Sequence, residues 1–361
     1  MWWLTELDAL LQCPRCAGAL SVEEMTDDGQ GLIRCAKAEC GLSYPVIDGI
    51  PRFLLGEERK SFVQLHWHRL TAGAKRALSL EYGEAVQWEG QKITMRSYDF
   101  QHRNLYELAY SDPKVAEKTL ATVGKTFRLL YPAGNLKHRK LALEVGVGIG
   151  GMLKNLSLHA GPDTRIVGVD LTSSLDFAAR QFTREELATR VLLVQASVFD
   201  LPLRPGIADF VLSHGVLHHT PDPQRAFDEC AARVAPGGEI HVWVYGDRFR
   251  SSHPTLYRMS CAFRDWHSRL SPALLWKLCA VYAVGSRAVA PLARPIFPYR
   301  FPVRKLRRFW MDNLLNPYNH VYNREELLRW SRPDLAGFDV ESTGGAWTIH
   351  ATRPASAAEA A

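Results

Sequence analysis

Between Lys140 and Tyr245 the chain alternates short apolar runs with stretches of helical periodicity. The runs are LALEVGV from Leu141, RIVGVD from Arg165, RVLLVQA from Arg190, ADFVLSHG from Ala208 and EIHVWVY from Glu239. Apolar strands alternating with helices predict a parallel α/β sheet. Further on, NREELLRW from Asn323 predicts a helix, and FDVESTGG from Phe338 with WTIHATRP from Trp347 predicts a closing pair of strands. Ahead of the sheet, Asp112-Pro113 reads as a cap and first-turn proline, and Val115, Leu120, Val123, Phe127 and Leu130 are spaced for a helix packed on the domain that follows.

The first residues have another texture, rich in Cys, Gly and turn formers, with short β-like runs at Gly31–Arg34 and Ser43–Ile47. Such a segment is too thin to be held by its own core. The pattern divides the chain into a small β module (1–56), a helical linker and cap (57–135), an α/β core (136–246), a helical insertion rich in basic and aromatic residues (247–320), the last helix and strand pair of the core (321–354) and a small polar tail (355–361) expected to be disordered.

Composition adds little until it is mapped. A chain of 361 residues, 47% hydrophobic and 23% charged, is ordinary for a globular protein. The net charge of +6 mildly favours anionic partners without implying nucleic acid. The N-terminus lacks the pattern of a signal peptide, so a cytoplasmic location is expected. Between Arg248 and Phe309 the only acidic residue is Asp265, so the insertion holds much of the excess positive charge. Its apolar middle, Pro272–Pro291, is interrupted by Lys277 and Arg287 and should not span a bilayer. Two readings of it stay open: a helical lid over an apolar or lipid-linked acceptor, with basic flanks at anionic headgroups, or a helical pair packed on the core or on a sister subunit. The run Arg304–Arg308 suits nucleic-acid phosphates equally, although no RNA module accompanies it.

Four of the seven cysteines form two close pairs, Cys13-Pro-Arg-Cys16 and Cys35-Ala-Lys-Ala-Glu-Cys40. Two thiolate pairs on tight turns suit a tetrahedral Zn²⁺, and four protein ligands leave no open position, so the metal is expected to be structural. Cys230, Cys261 and Cys279 lie among apolar neighbours and are expected to be buried thiols. The run YPVIDGIPRFL from Tyr44 resembles the end of small zinc-ribbon proteins that accompany or activate methyltransferases. Some ribosomal RNA guanine methyltransferases also begin with a four-ligand finger, but their text after the last ligand differs.

Glu144-Val-Gly146-Val-Gly148-Ile-Gly150-Gly151 follows the first apolar run and precedes a helical stretch, as in nucleotide-binding turns. A glycine-rich turn alone suits several cofactors. Three further features resemble class I S-adenosylmethionine-dependent methyltransferases of the type 11 kind: acidic Glu144 before the glycines, Asp170 ending the second run, and the series QASVFDLPL, ADFVLSHGVLHHTPDP and VAPGGE. The resemblance implies a Rossmann-like seven-stranded, mostly parallel sheet. It also implies a cofactor site in which Glu144 helps hold the methionine end, Asp170 accepts the ribose hydroxyls, and Gly146, Gly148, Gly150, Leu171, Val198, His214 and Gly215 complete the cradle. Most relatives have an acid for the adenine amino group; this chain has Ser197, with Asp200 as a possible substitute.

Methyl transfer needs the acceptor held near the methyl group and, for a hydroxyl acceptor, a base. The candidates are His214, His218 and His219 in the HGVLHH run, of which His218 is preferred as base, and Tyr318 and His320 in the run Asp312–Tyr322 ahead of the last helix, where relatives carry similar aromatic residues; the alternative is that these last groups pin the insertion to the core. The expected function is methyl transfer to a small or lipid-linked metabolite, with S-adenosylmethionine and structural zinc bound, possible membrane contact and possible homo-oligomerisation. RNA methylation and a non-catalytic binding role on the same scaffold are the alternatives.

Overall fold

The computed structural model describes residues 1–56, 59, 62–63, 66–79, 100, 113–131, 133–289 and 302–355. Asp112, much of the expected linker, Pro291 and the tail from residue 356 lie outside the described residues. The described residues form two sheets. The small one is an antiparallel meander of β1 (Leu20–Met25), β2 (Gly31–Cys35), β3 (Ser43–Ile47) and β4 (Ile50–Pro51). The large one contains β5 (Leu141–Val145), β6 (Arg165–Asp170), β7 (Val191–Gln195), β8 (Ala208–His214), β9 (Val234–Tyr245), β10 (Ala336–Thr343) and β11 (Ala346–Thr352).

The order across the large sheet is β10-β11-β9-β8-β5-β6-β7. Strands β5 to β9 run parallel, and β11 is antiparallel to both neighbours. This is a Rossmann-like, doubly wound arrangement. The chain leaves β5 toward β6 on one side and reaches β8 on the other, so a crevice opens at the C-terminal ends of β5 and β8, the place where open α/β sheets bind ligands.

Local chemistry sets the helix starts around this crevice. In the TPDP run, Asp222 caps the helix Pro223–Ala232 by accepting the Arg225 N–H, and Pro223 occupies the first turn. Asn323 and Glu326 form a capping box on the helix Arg324–Leu328. The helix Pro113–Leu130 buries Phe127 beside Leu156, Ile166 and Leu212 and so lies along one side of the sheet.

The small β module shares its core with the large domain. Trp3, Leu11, Ile33, Tyr44 and Phe53 belong to the same buried cluster as Val145, Val169, Val194 and Leu203. Backbone pairing crosses the boundary too: Leu11 bridges Leu203, and Arg52 bridges Gln195 at the β7 edge. The Arg52 guanidinium, 1% exposed, reaches Asp176 at 2.6 Å and Gln195 Oε1 at 3.1 Å. A module that lacks enough core of its own thus borrows one.

After β9 the insertion forms the helices Arg248–Ser252, Pro254–His267, Pro272–Val289 and Val303–Leu315. The last two pack through Leu275, Cys279, Met311 and Leu314. Arg307 lies 3.8 Å over the Trp276 ring and donates to its carbonyl. Tyr245 Oη donates to Asp312 at 2.9 Å, tying the insertion to β9. Leu256, Met259, Phe263 and Trp266 on one helix, and Leu274, Val281 and Val284 on the other, are exposed. No helix among the described residues is long and apolar enough to cross a membrane. Cys230 and Cys279 are buried as expected, but Cys261 is half-buried, because its helix rests only one side on the protein.

Candidate functional site

The turn after β5 shapes the crevice. Gly146, Gly148 and Gly150 all adopt positive φ, at 88°, 54° and 90°. A Cβ on Gly146 would lie 2.1 Å from Val216 Cγ2, so the turn closes only with glycine there. Gly150 then starts the helix Gly151–His159. The Gly148 N–H donates to Asp170 Oδ2 at 2.7 Å, while Asp170 Oδ1 accepts from the Thr172 N–H at 2.8 Å and the Thr172 hydroxyl at 2.6 Å. These bonds hold the carboxylate rigidly at the edge of the crevice and leave lone pairs on both oxygens.

Next to it, Glu144 is 1% exposed and its Oε2 has no hydrogen-bond partner. Burial, reinforced by the charge of Asp170, raises its pKa well above the usual carboxylate range. A buried, unpartnered carboxyl oxygen is costly unless a ligand completes it. Both acids line a cavity of about 650 Å³, together with Gly146, Gly148, Leu171, Val198, Phe199, His214 and Gly215. The donor set fits an amino-acid nucleoside: a carboxyl for an ammonium, a carboxylate for a diol, and apolar Val198 and Phe199 beside them for a base.

The structure separates the remaining candidates. Gly150 supports the turn without lining the cavity. Ser197 does not line it either; its hydroxyl accepts the Phe199 N–H at 3.1 Å and caps a short turn. Asp200 is also absent from the lining. The serine hydroxyl thus caps the 3₁₀ turn that follows it.

His218, Tyr318 and His320 do not line the described cavity. His218 is fully buried, its ring 3.9 Å from Tyr245, with both nitrogens unpartnered, and burial drives its pKa well below normal. The turn Leu217–His219 points one histidine inward and its neighbour, His219, to the cavity. His219 Nδ1 donates to the Tyr318 carbonyl at 3.1 Å, which places the lone pair of the neutral ring on Nε2. His320 packs behind this turn, with Nε2 on the Thr220 carbonyl at 3.1 Å and its N–H on the His218 carbonyl. The run 316–322 thus pins the insertion to the core, and in this arrangement His218, Tyr318 and His320 stand behind the cavity wall. His214 does line the cavity; it meets Tyr131 Oη at 2.7 Å, stacks on Trp243, and burial lowers its pKa to about 4.

Sequence reasoning missed several wall residues, namely Thr220 and the stripe Thr119, Thr122 and Thr126, and it did not place Arg304 and Arg308 at the cavity. The i, i+3, i+7 spacing of the threonines and the i, i+4 spacing of the arginines were the available signals.

Away from the crevice, the four N-terminal cysteines converge. Their sulfurs all lie within 4.8 Å of one another, with Cys13–Cys40 at 3.7 Å and Cys16–Cys35 at 3.5 Å. A tetrahedron with Zn–S bonds of about 2.3 Å has edges of about 3.8 Å, so the cluster fits the metal. Burial raises the Cys35 thiol to about 12, a cost that a dication would remove.

Strand order, glycine turn and paired carboxyls together describe an open, mostly parallel α/β domain with a ligand crevice at the C-terminal ends of its central strands. Residues 143–242 match the family described as a methyltransferase domain. The chain is 34% identical over 110 residues to an uncharacterized protein of Synechococcus, covering 30% of this chain and 26% of that one. It is 25% identical over 122 residues to phosphoethanolamine N-methyltransferase 2 of Caenorhabditis elegans, covering 34% and 28%. An uncharacterized 37.1 kDa protein of a Streptomyces fradiae transposon is 32% identical over 237 residues, covering 60% and 65%. The chain spans about a quarter of the length of the first two relatives. Among solved structures, magnesium protoporphyrin IX methyltransferase of Synechocystis is similar with a TM-score of 0.43 and 14% identity, over 73% of this chain and 99% of that one.

Proposed function

We propose that the protein transfers a methyl group from S-adenosylmethionine to a small or lipid-linked metabolite, with a structural zinc ribbon fused ahead of the catalytic domain. The observation that carries this reading is the unpartnered carboxyl of Glu144 facing the same cavity as the rigidly held Asp170. When bound, the cofactor supplies an electrophilic methyl group on sulfur. Glu144 receives the ammonium of its methionine end, Asp170 accepts the ribose hydroxyls, and Val198 and Phe199 flank the base. His219, which lines the cavity with its tautomer set by Tyr318, is better placed than His218 to take a proton from an acceptor. The helical insertion acts as a lid, as the presence of Arg304 and Arg308 in the cavity wall supports.

Four cysteines would hold zinc and fix the ribbon, which through Arg52 and Phe53 buttresses the β7 edge beside the cofactor site. The exposed apolar residues of the two long insertion helices favour a lipid-linked acceptor reached at a membrane surface. Calorimetric titration of the zinc-analysed protein with S-adenosylmethionine and S-adenosylhomocysteine tests the cofactor reading. Saturable binding of both supports it; binding of neither to folded, zinc-loaded protein turns the reading toward a non-catalytic scaffold.

A further inference from the structure

The basic run of the insertion is sorted by the structure into two kinds of arginine. Arg307 is used internally, over Trp276. Arg304 and Arg308, one turn apart on the same helix, both line the cavity that contains Glu144 and Asp170. Neither guanidinium has a hydrogen-bond or ion-pair partner among the described residues, whereas Arg52, Arg139, Arg233 and Arg332 are each ion-paired. Like charges at i, i+4 repel, and partial burial together with Arg304 disfavours the Arg308 cation. Arg304 is exposed and Arg308 half-buried, so both cations stand at the rim of the cavity where an anion can reach them.

Charge balance says what that ligand carries. S-adenosylmethionine brings a sulfonium and an ammonium against a single carboxylate, so it adds net positive charge to the cavity. Glu144 and Asp170 at most balance the two arginines, and any proton on Glu144 leaves an excess. The cavity with its cofactor therefore stays positive until an anion enters. Guanidinium pairs bind carboxylate and phosphate through parallel N–H···O bonds. Another part of the lining is the stripe Thr119, Thr122 and Thr126, of which Thr122 and Thr126 donate back to their own helix, with Val115 and Val123 beside them. That wall suits the uncharged body of a small molecule.

We infer that the methyl acceptor carries a carboxylate or phosphate group, and that Arg304 and Arg308 bind it at the mouth of the cavity. This rests on the methyltransferase reading above. The test uses fluorine NMR titration of 4-fluorobenzoate and 4-fluorophenyl phosphate, with 4-fluorobenzyl alcohol as neutral control, into protein saturated with S-adenosylhomocysteine. Arg304→Gln/Arg308→Gln should weaken one or both anions by about tenfold or more, as loss of charge-assisted hydrogen bonds does, while the affinity for S-adenosylhomocysteine changes less than about twofold. Arg304→Lys/Arg308→Lys, which keeps the charge, should retain part of the phosphate binding and shows that the glutamine effect is not misfolding. The ratio of the two anions tells carboxylate from phosphate.

Anions that bind the double glutamine variant as they bind the wild type, or that bind no better than the alcohol, overturn the inference. So does a double variant that loses the cofactor product as strongly as the anions, because the arginines then hold the cofactor's own carboxylate. Failure of the wild type to bind S-adenosylhomocysteine overturns the methyltransferase reading, and with it the acceptor assignment, even where the anions bind.

Discussion

Glu144→Gln probes the buried carboxyl directly. In the cofactor-free protein its pKa is raised, chiefly by burial and further by Asp170. A bound ammonium next to it favours the charged form, so binding lowers that pKa and releases a proton at any pH between the two values. Affinity for S-adenosylhomocysteine should therefore rise with pH through that window, by at most tenfold per pH unit, and level off above the raised value. The window opens above the ordinary carboxyl range, and measurement between about pH 5 and 7.5 keeps the ligand's amine protonated. Calorimetry in two buffers of different ionisation enthalpy should show up to one proton released per ligand. In the glutamine variant the release should vanish, the pH dependence should flatten, and affinity near neutrality should fall roughly ten- to a hundredfold, the worth of a hydrogen bond to a charged group.

The stability sign is opposite. A carboxyl whose folded pKa is raised costs nothing below its unfolded pKa of about 4.3, and destabilises increasingly as pH climbs to the folded value. The cofactor-free variant should thus be at least as heat-stable as the wild type at neutral pH, which separates lost binding from lost fold. A wild type whose affinity is flat with pH and releases no proton would refute the assignment of Glu144 to the methionine end.

Asp170→Ala removes the acceptor of Gly148 and Thr172 as well as the ribose contact, so S-adenosylhomocysteine binding should weaken by about a hundredfold or more, read by calorimetry. Gly146→Ala combines a positive φ with a 2.1 Å clash on Val216; thermal melting should show a loss of about 2 kcal/mol or more, and a variant as stable as wild type would contradict the turn geometry. Elemental analysis should find one zinc per chain, and Cys16→Ser or a strong chelator should lower the melting temperature of the whole chain, since ribbon and core share one buried cluster. Trp266→Ser, at a side chain 60% exposed, should reduce co-sedimentation with anionic phospholipid vesicles; equal binding would leave the exposed helices without a lipid role.

Much of this was legible in the chain. The apolar runs marked β5 to β9 because a strand buried on both faces must be apolar almost throughout, and the closing strand pair and last helix were marked by alternation and capping residues. The glycines after β5, with Glu144 and Asp170 on either side, announced the turn and its carboxyls, because glycine takes positive φ without strain and acids at two strand ends are legible from the residues alone. The two cysteine pairs announced a four-sulfur cluster through local spacing alone.

Other assignments depended on contacts between residues far apart in the chain. Sequence could not tell which of His218 and His219 faces the cavity, because a single 3₁₀ turn after β8 decides it and the run 316–322, about a hundred residues on, seals the choice. It could not tell Arg307 from Arg304 and Arg308 within one basic run, since only the packed Trp276 takes the first and leaves the others to the cavity. Nor could it show that the ribbon is held by the β7 edge through Arg52. Periodicity and local spacing are written along the backbone, so the sequence by itself determined the sheet, the cofactor turn and the cysteine cluster. Which side chain of a motif faces a ligand is set by what packs against its other side, and that only the tertiary structure decided.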